Sequence, residues 1–208
     1  MDPETTDHRL IVVYGGSASG KSAFAEKMTD EIAADCGATR IYLATMKPWG
    51  AEAEARVARH QAQRAQYGFA TCECYGRLSS IPADEIPDGS VVLLECMGNV
   101  MANLLFDESV STDFEADDAV DINTAAPLDP DDIVAATLAD IDQLAARTAA
   151  LVIVANDIGA DGVEYGPDTE IYRRALGATQ CALANRADTV VEVVSGCARI
   201  IKGRCECS

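Results

Sequence analysis

Gly15-Gly16-Ser17-Ala18-Ser19-Gly20-Lys21-Ser22 fits the pattern G-x-x-x-x-G-K-[ST], the phosphate-binding P-loop. The apolar run Leu10-Ile11-Val12-Val13-Tyr14 precedes it and reads as a buried strand. Ser22-Ala23-Phe24-Ala25-Glu26-Lys27-Met28 follows and reads as the opening of a helix. Strand, loop and helix in this order are the context the motif requires. Gly15, Gly16 and Gly20 let the backbone turn tightly, so that successive N–H groups, those of Ser17, Ala18 and Ser19 included, face one concavity. The helix N-terminus adds partial positive charge where an anion sits. Lys21 is expected to reach the β- and γ-phosphates of a nucleotide, and the Ser22 hydroxyl to ligate Mg²⁺.

Working outward, strand-like runs recur at Leu10–Tyr14, Ile41–Ala44, Val91–Cys96, Leu151–Asn156, Val190–Val194 and Arg199–Lys202. Helical patterns at Ser22–Asp35, Ala51–Gln66, Asn99–Phe106, Asp131–Arg147 and Thr169–Arg186 separate most of them. This alternation predicts an α/β fold of the P-loop NTPase (RecA-like) kind, a mainly parallel sheet with helices on both faces. The last two runs are joined by Ser195-Gly196-Cys197-Ala198, a link so short that it implies an antiparallel C-terminal edge hairpin. In such sheets ligands bind beyond the C-terminal strand ends, where the Gly15 loop lies. Asp129 is placed to cap the helix of residues 131–147, with Pro130 in its first turn and Val134, Leu138, Ile141 and Ala145 on its core face.

The 208 residues are expected to form a single P-loop α/β domain over 1–208. Asp107–Asp129 is rich in Asp and Glu with few large apolar residues, and reads as a solvated, flexible insertion. No run of 18 apolar residues occurs, so no membrane insertion is expected. The polar, acidic first eight residues are unlike a signal peptide, and a cytoplasmic location is expected. A net charge of −18 argues against nucleic acid as a partner, because a phosphate backbone needs a basic face. Nucleotides are not excluded by it, since backbone dipoles and a few cations hold them. The eight cysteines read as free thiols; Cys72-Glu73-Cys74 and Cys205-Glu206-Cys207 have C-x-C spacing rather than that of common zinc sites.

Three further features bear on chemistry. Val91-Val92-Leu93-Leu94 is an apolar strand that ends in Glu95, where a carboxylate can contact Mg²⁺ or orient a ligand. His60 has Arg56 at i−4 and Arg64 at i+4 on a polar helical stretch. The arginines would oppose its protonation and attract phosphates, yet spacing alone favours an incidental surface histidine. Arg173 and Arg174 are equally compatible with phosphate ligands and with solvated charges.

Several segments together resemble one family, the bifunctional adenosylcobinamide kinase/adenosylcobinamide-phosphate guanylyltransferases of cobalamin biosynthesis. They are the loop at 15–22, Ile41-Tyr-Leu-Ala-Thr45, Arg56-Val-x-x-His60-x-x-x-Arg64, Leu93-Leu-Glu95-Cys96, Asn103-Leu-Leu-Phe106, Asn156-Asp-Ile-Gly159 and Val194-Ser-Gly196. The resemblance runs from about residue 9 to 203. It implies phosphorylation of adenosylcobinamide by ATP or GTP, then GMP transfer from GTP to give adenosylcobinamide-GDP, with Mg²⁺. It also implies that His60 carries GMP as a phosphoramidate, which reverses the reading from spacing. By the same similarity Ala44, Thr45, Met46, Gln61, Ala62, Gln63, Arg64, Glu73 and Glu95 contact guanine nucleotide, and the assembly is a homotrimer. Family members commonly carry Glu where Asp157 stands, and an Asn-Gln pair where Gly177 is followed here by Ala178-Thr179-Gln180. The residues leave two other readings open. A small-molecule P-loop kinase without the guanylyltransferase step would leave His60 incidental. A non-catalytic GTP-binding protein fares worse, because Asn-Lys-x-Asp and Asp-x-x-Gly motifs are absent.

Overall fold

Alternating apolar runs and helical patterns require a sheet covered on both faces, and the computed structural model, which describes residues 9–47, 68–106, 129–159 and 162–204, has that architecture. Its strands are β1 (Arg9–Gly15), β2 (Arg40–Ala44), β3 (Phe69–Glu73), β4 (Val91–Glu95), β5 (Ala150–Asn156), β6 (Thr189–Val194) and β7 (Cys197–Lys202). The helices are α1 (Lys21–Cys36), α2 (Met97–Phe106), α3 (Pro130–Arg147) and α4 (Pro167–Arg186). The sheet order is β3-β2-β4-β5-β1-β6-β7, with every pairing parallel except that of β6 with β7.

Central strands are buried on both faces, which is why they read as unbroken apolar runs rather than alternating ones. Leu10, Val12, Leu43, Leu94, Leu151 and Ile153 point to one core, shared with Met101 of α2, Ile141 of α3 and Leu176 of α4. Ile11, Val13, Leu93, Val152, Val154 and Val191 point to the other, against Ala25, Met28 and Ile32 of α1. Each such side chain contributes about 1.5–3 kcal/mol by leaving water, so the strand interiors anchor the fold.

The structure departs from the sequence expectations in a few places. β3 was not foreseen: Phe69 and Cys72 are its buried residues, three apart, and this fits neither strand alternation nor a continuous apolar run. An edge strand with one neighbour, β2, needs no more than that. The core face of α3 comprises Ile133, Thr137, Leu138, Asp140, Ile141 and Leu144, so it is centred one position away from the expected stripe, and Val134 and Ala145 are half-buried. Its cap is as expected, with Asp129 accepting the Asp131 N–H at 2.9 Å. The link between β6 and β7 is the two residues Ser195 and Gly196, both at positive φ (50° and 79°), as a tight hairpin turn requires. The helical stretch 51–66, with His60, Gln61, Ala62, Gln63 and Arg64, lies outside the described residues. So do residues 107–128 of the acidic segment and Cys205 and Cys207.

Parallel pairing brings the C-terminal ends of β1 to β6 to one edge. Ala44 is in register with both Glu73 and Glu95, and Gly15 with Asn156. No helix among the described residues is long and apolar enough to cross a membrane.

Candidate functional site

The loop between β1 and α1 sits at that edge. Gly15 fits there because it has no side chain: a Cβ would lie 2.5 Å from the Val193 carbonyl oxygen and 2.7 Å from Ser19 Oγ. Gly20 ends the loop at φ 92°, a left-handed conformation that costs glycine little. The hairpin turn buttresses the loop from β6, with the Gly196 N–H donating to the Ser19 carbonyl at 2.8 Å. Val194-Ser-Gly196 therefore supports the loop.

Helix α1 leaves its first N–H groups for a ligand. Gly20 provides no side-chain cap and no acidic residue stands in the first turn, where most helices would place one. The N-terminus is thus open to an anion. Lys21, 8% exposed, donates from Nζ to the Gly16 carbonyl at 3.1 Å, bridging the loop. Ser19 Oγ is buried in the loop without a hydrogen-bond partner.

Ser22 faces the end of β4. Its hydroxyl donates to Glu95 Oε1 at 2.5 Å, while Glu95 Oε2 is buried and has no partner. A hydroxyl and an under-satisfied carboxylate in contact form an oxygen donor set of the kind Mg²⁺ takes, so these residues fit that ion.

The turn after Glu95 is held from both sides. The Thr45 N–H donates to the Glu95 carbonyl at 3.2 Å and its hydroxyl to the Cys96 carbonyl at 3.1 Å. Asn103 of α2 donates to the Thr45 carbonyl at 2.9 Å. From the other side Asn156 donates to Cys96 Sγ at 3.4 Å, and Gln180 of α4 donates to the Asn156 carbonyl at 2.9 Å. Burial pushes the Cys96 thiol above its ordinary pKa, so it accepts here as a neutral thiol. Thr45 is fully buried, whereas Ala44 and Met46 beside it are half-buried.

The predicted residues therefore fall into three groups. Gly15 to Ser22 and Glu95 come together at the loop. Ala44, Thr45, Met46 and Glu73 share the same sheet edge further along, where Glu73 accepts a hydrogen bond from the Tyr75 hydroxyl at 2.9 Å. His60, Gln61, Ala62, Gln63 and Arg64 lie outside the described residues. Arg173 and Arg174, left open by the sequence, differ: Arg173 pairs with Glu170 at 2.6 Å, and Arg174 is exposed. Two residues were missed from pattern alone, Asn156 and Asp157. Asn156 ends an apolar strand beside the loop and Asp157 follows it, the same signal that singled out Glu95.

Residues 11–201 match the family described as cobinamide kinase / cobinamide phosphate guanyltransferase. The bifunctional adenosylcobalamin biosynthesis protein CobU of Salmonella typhimurium is 31% identical over 90% of this chain and 96% of its own length. That of Escherichia coli is 29% identical over 90% and 96%, and the CobP protein of Pseudomonas aeruginosa 27% identical over 92% and 96%. A solved structure, the flagellar accessory protein FlaH from Methanocaldococcus jannaschii, superposes on 95% of this chain and 79% of its own, with TM-score 0.45 and 11% identity. The chain belongs to the cobinamide kinase / cobinamide phosphate guanyltransferase family.

Proposed function

We propose that this member of the cobinamide kinase / cobinamide phosphate guanyltransferase family performs both reactions of that description. In the first, ATP or GTP phosphorylates the hydroxyl of adenosylcobinamide. In the second, GMP passes from GTP to the new phosphate, giving adenosylcobinamide-GDP and pyrophosphate. The observation that carries this reading is the loop itself: Lys21 bridges it, α1 opens uncapped onto it, and Ser22 meets a half-satisfied Glu95.

Each residue has a physical task. The loop N–H groups and Lys21 hold the β- and γ-phosphates and neutralise charge that builds on the transferring group. Ser22 and Glu95 would hold Mg²⁺, which supplies further neutralisation of the phosphate oxygens when bound. Ala44, Thr45, Met46, Gln61, Ala62, Gln63, Arg64, Glu73 and Glu95 form the guanine nucleotide site. His60 is the nucleophile of the second reaction: covalent capture of GMP splits one displacement into two easier steps. The enzyme is a cytoplasmic homotrimer of one domain per chain, with residues 107–129 as an acidic insertion.

Incubation with Mg²⁺ and α-³²P-GTP, followed by denaturation, tests the mechanism. The expected result is acid-labile, alkali-stable label on the wild-type chain, none from γ-³²P-GTP, and none on His60→Ala. Unlabelled wild type that still binds nucleotide would remove His60 as nucleophile and leave a P-loop kinase alone.

A further inference from the structure

Phosphoryl transfer to an alcohol requires a group that orients the hydroxyl and accepts its proton. Among the described carboxylates that end strands at the loop edge, Glu95 meets Ser22 and has the proposed task of holding Mg²⁺. Glu73 stands on β3, four strand spacings from β1. At about 4.8 Å per strand that is on the order of 19 Å, too far to touch a group on the γ-phosphate. Glu192 lies within β6, one register position before the loop, paired with Tyr14.

Asp157 is placed differently. It is the first residue beyond β5, on the strand adjacent to β1, and its N–H donates to the Gly15 carbonyl at 3.0 Å. The first glycine of the phosphate loop therefore fixes the Asp157 backbone directly. Its side chain is also held: Oδ1 accepts the Gly159 N–H at 3.3 Å, and the Tyr14 phenol faces the carboxylate. Burial first, then the neighbouring Asp157 carboxylate and the charge of Glu192, push the phenol up to about 12, so Tyr14 keeps its proton across the physiological range. Arg173 fastens the following turn, with its guanidinium 3.5 Å from the Gly159 carbonyl oxygen and stacked over the Tyr165 ring at 5.4 Å. A carboxylate offers about four acceptor positions, so the Gly159 N–H leaves room for a substrate hydroxyl. Asp157 is half-buried rather than enclosed, which leaves it accessible to a substrate.

We infer that Asp157 receives the acceptor alcohol in the kinase reaction. Its carboxylate accepts the hydroxyl's hydrogen bond. As that oxygen bonds to the γ-phosphorus, the bond from the γ-phosphorus to the β,γ-bridging oxygen breaks. The hydroxyl proton passes to Asp157, and nucleoside diphosphate leaves with the bonding pair. This rests on the proposed kinase activity, which the wild type tests first.

The experiment compares wild type, Asp157→Asn and Asp157→Glu in two assays: phosphorylation of cobinamide by ATP, and guanylylation of preformed cobinamide phosphate by GTP. Asp157→Asn is expected to lower the kinase kcat about 100-fold or more, while the KM for ATP stays within about twofold. Guanylylation should persist, and Asp157→Glu should recover most of the kinase rate. Asn at wild-type kinase rate overturns the inference. So does loss of both reactions together with a lowered melting temperature, which assigns Asp157 a structural role. Wild type that fails to phosphorylate cobinamide overturns the kinase reading itself, and is recognised before any variant is compared.

Discussion

Lys21 shows how little of a binding residue's chemistry depends on distant sequence. Its position, one residue past a left-handed glycine and first in α1, follows from eight contiguous residues. Its ammonium rests against the Gly16 carbonyl, and the proposed function has Lys21 exchange that bond for phosphate oxygens when nucleotide enters. Ligand at 100 times its Kd stabilises a protein by about 2.7 kcal/mol, and a chain of this size gains about 2–4 °C per kcal/mol. Saturating Mg²⁺-GTP should therefore raise the wild-type melting temperature by about 5–10 °C. Lys21→Ala, measured against its own unliganded state at the same GTP concentration, should show almost no rise; an undiminished shift would take Lys21 out of the phosphate site. Glu95 was legible for a similar reason, since a charge ending an apolar strand is conspicuous. The tasks of Thr45 and Asn156 were not, because they arise from contacts with Cys96, 51 and 60 residues away.

Elements carry a second set of constraints. The β6–β7 hairpin sets the rear wall of the phosphate loop through Gly196 and Val193, so its short turn matters to the site as much as to the sheet. On the opposite face, α3 is tied to the 3-10 turn Leu78–Ser80 through Asp140. Its carboxylate, with a side chain 2% exposed, takes both Arg77 Nε at 3.2 Å and Nη2 at 2.6 Å. The Ser79 N–H and hydroxyl complete it at 3.2 and 3.1 Å. Asp140→Ala removes the acceptor of four hydrogen bonds and should destabilise the protein by about 3 kcal/mol, the low end for a broken buried pair, because Arg77 keeps some access to water. Urea denaturation checks this; a loss below about 1 kcal/mol would mean that the turn re-forms without α3. The strand order places β5 between the loop strand and the Glu95 strand. Asn156 and Asp157 enter the site by that accident of topology.

At the scale of the whole molecule, packing sorts the six described cysteines, which composition could only count. Cys36, Cys181 and Cys197 are exposed thiols, whereas Cys72, Cys74 and Cys96 are buried. Burial, reinforced by the hydrogen bond to Glu85, pushes the Cys72 thiol up to about 12. A raised pKa means less thiolate at any given pH, hence less nucleophile. Alkylation with iodoacetamide at pH 8 and peptide mapping should label the first three cysteines, and the second three only after unfolding. Labelling of Cys96 at the rate of Cys181 in the folded protein would show that the edge beside Glu95 opens. The net charge of −18 belongs to this scale as well: it argues against a nucleic-acid partner but is silent about a nucleotide, whose phosphates meet local backbone dipoles before they meet the global field.

The sequence by itself determined the phosphate loop, the α/β class, the edge hairpin and the family resemblance. Each rests on local pattern: glycine conformations, apolar periodicity, and residues adjacent along the chain. Only the tertiary structure decided which strand ends meet. The Ser22–Glu95 contact joins residues 73 apart, and it exists because parallel pairing sets β4 two strands from β1. Parallel neighbours are joined by long crossovers, so their order and register are fixed by the packing of both sheet faces rather than by any local signal. For the same reason β3 escaped notice: two buried residues make a strand only when β2 is there to receive them.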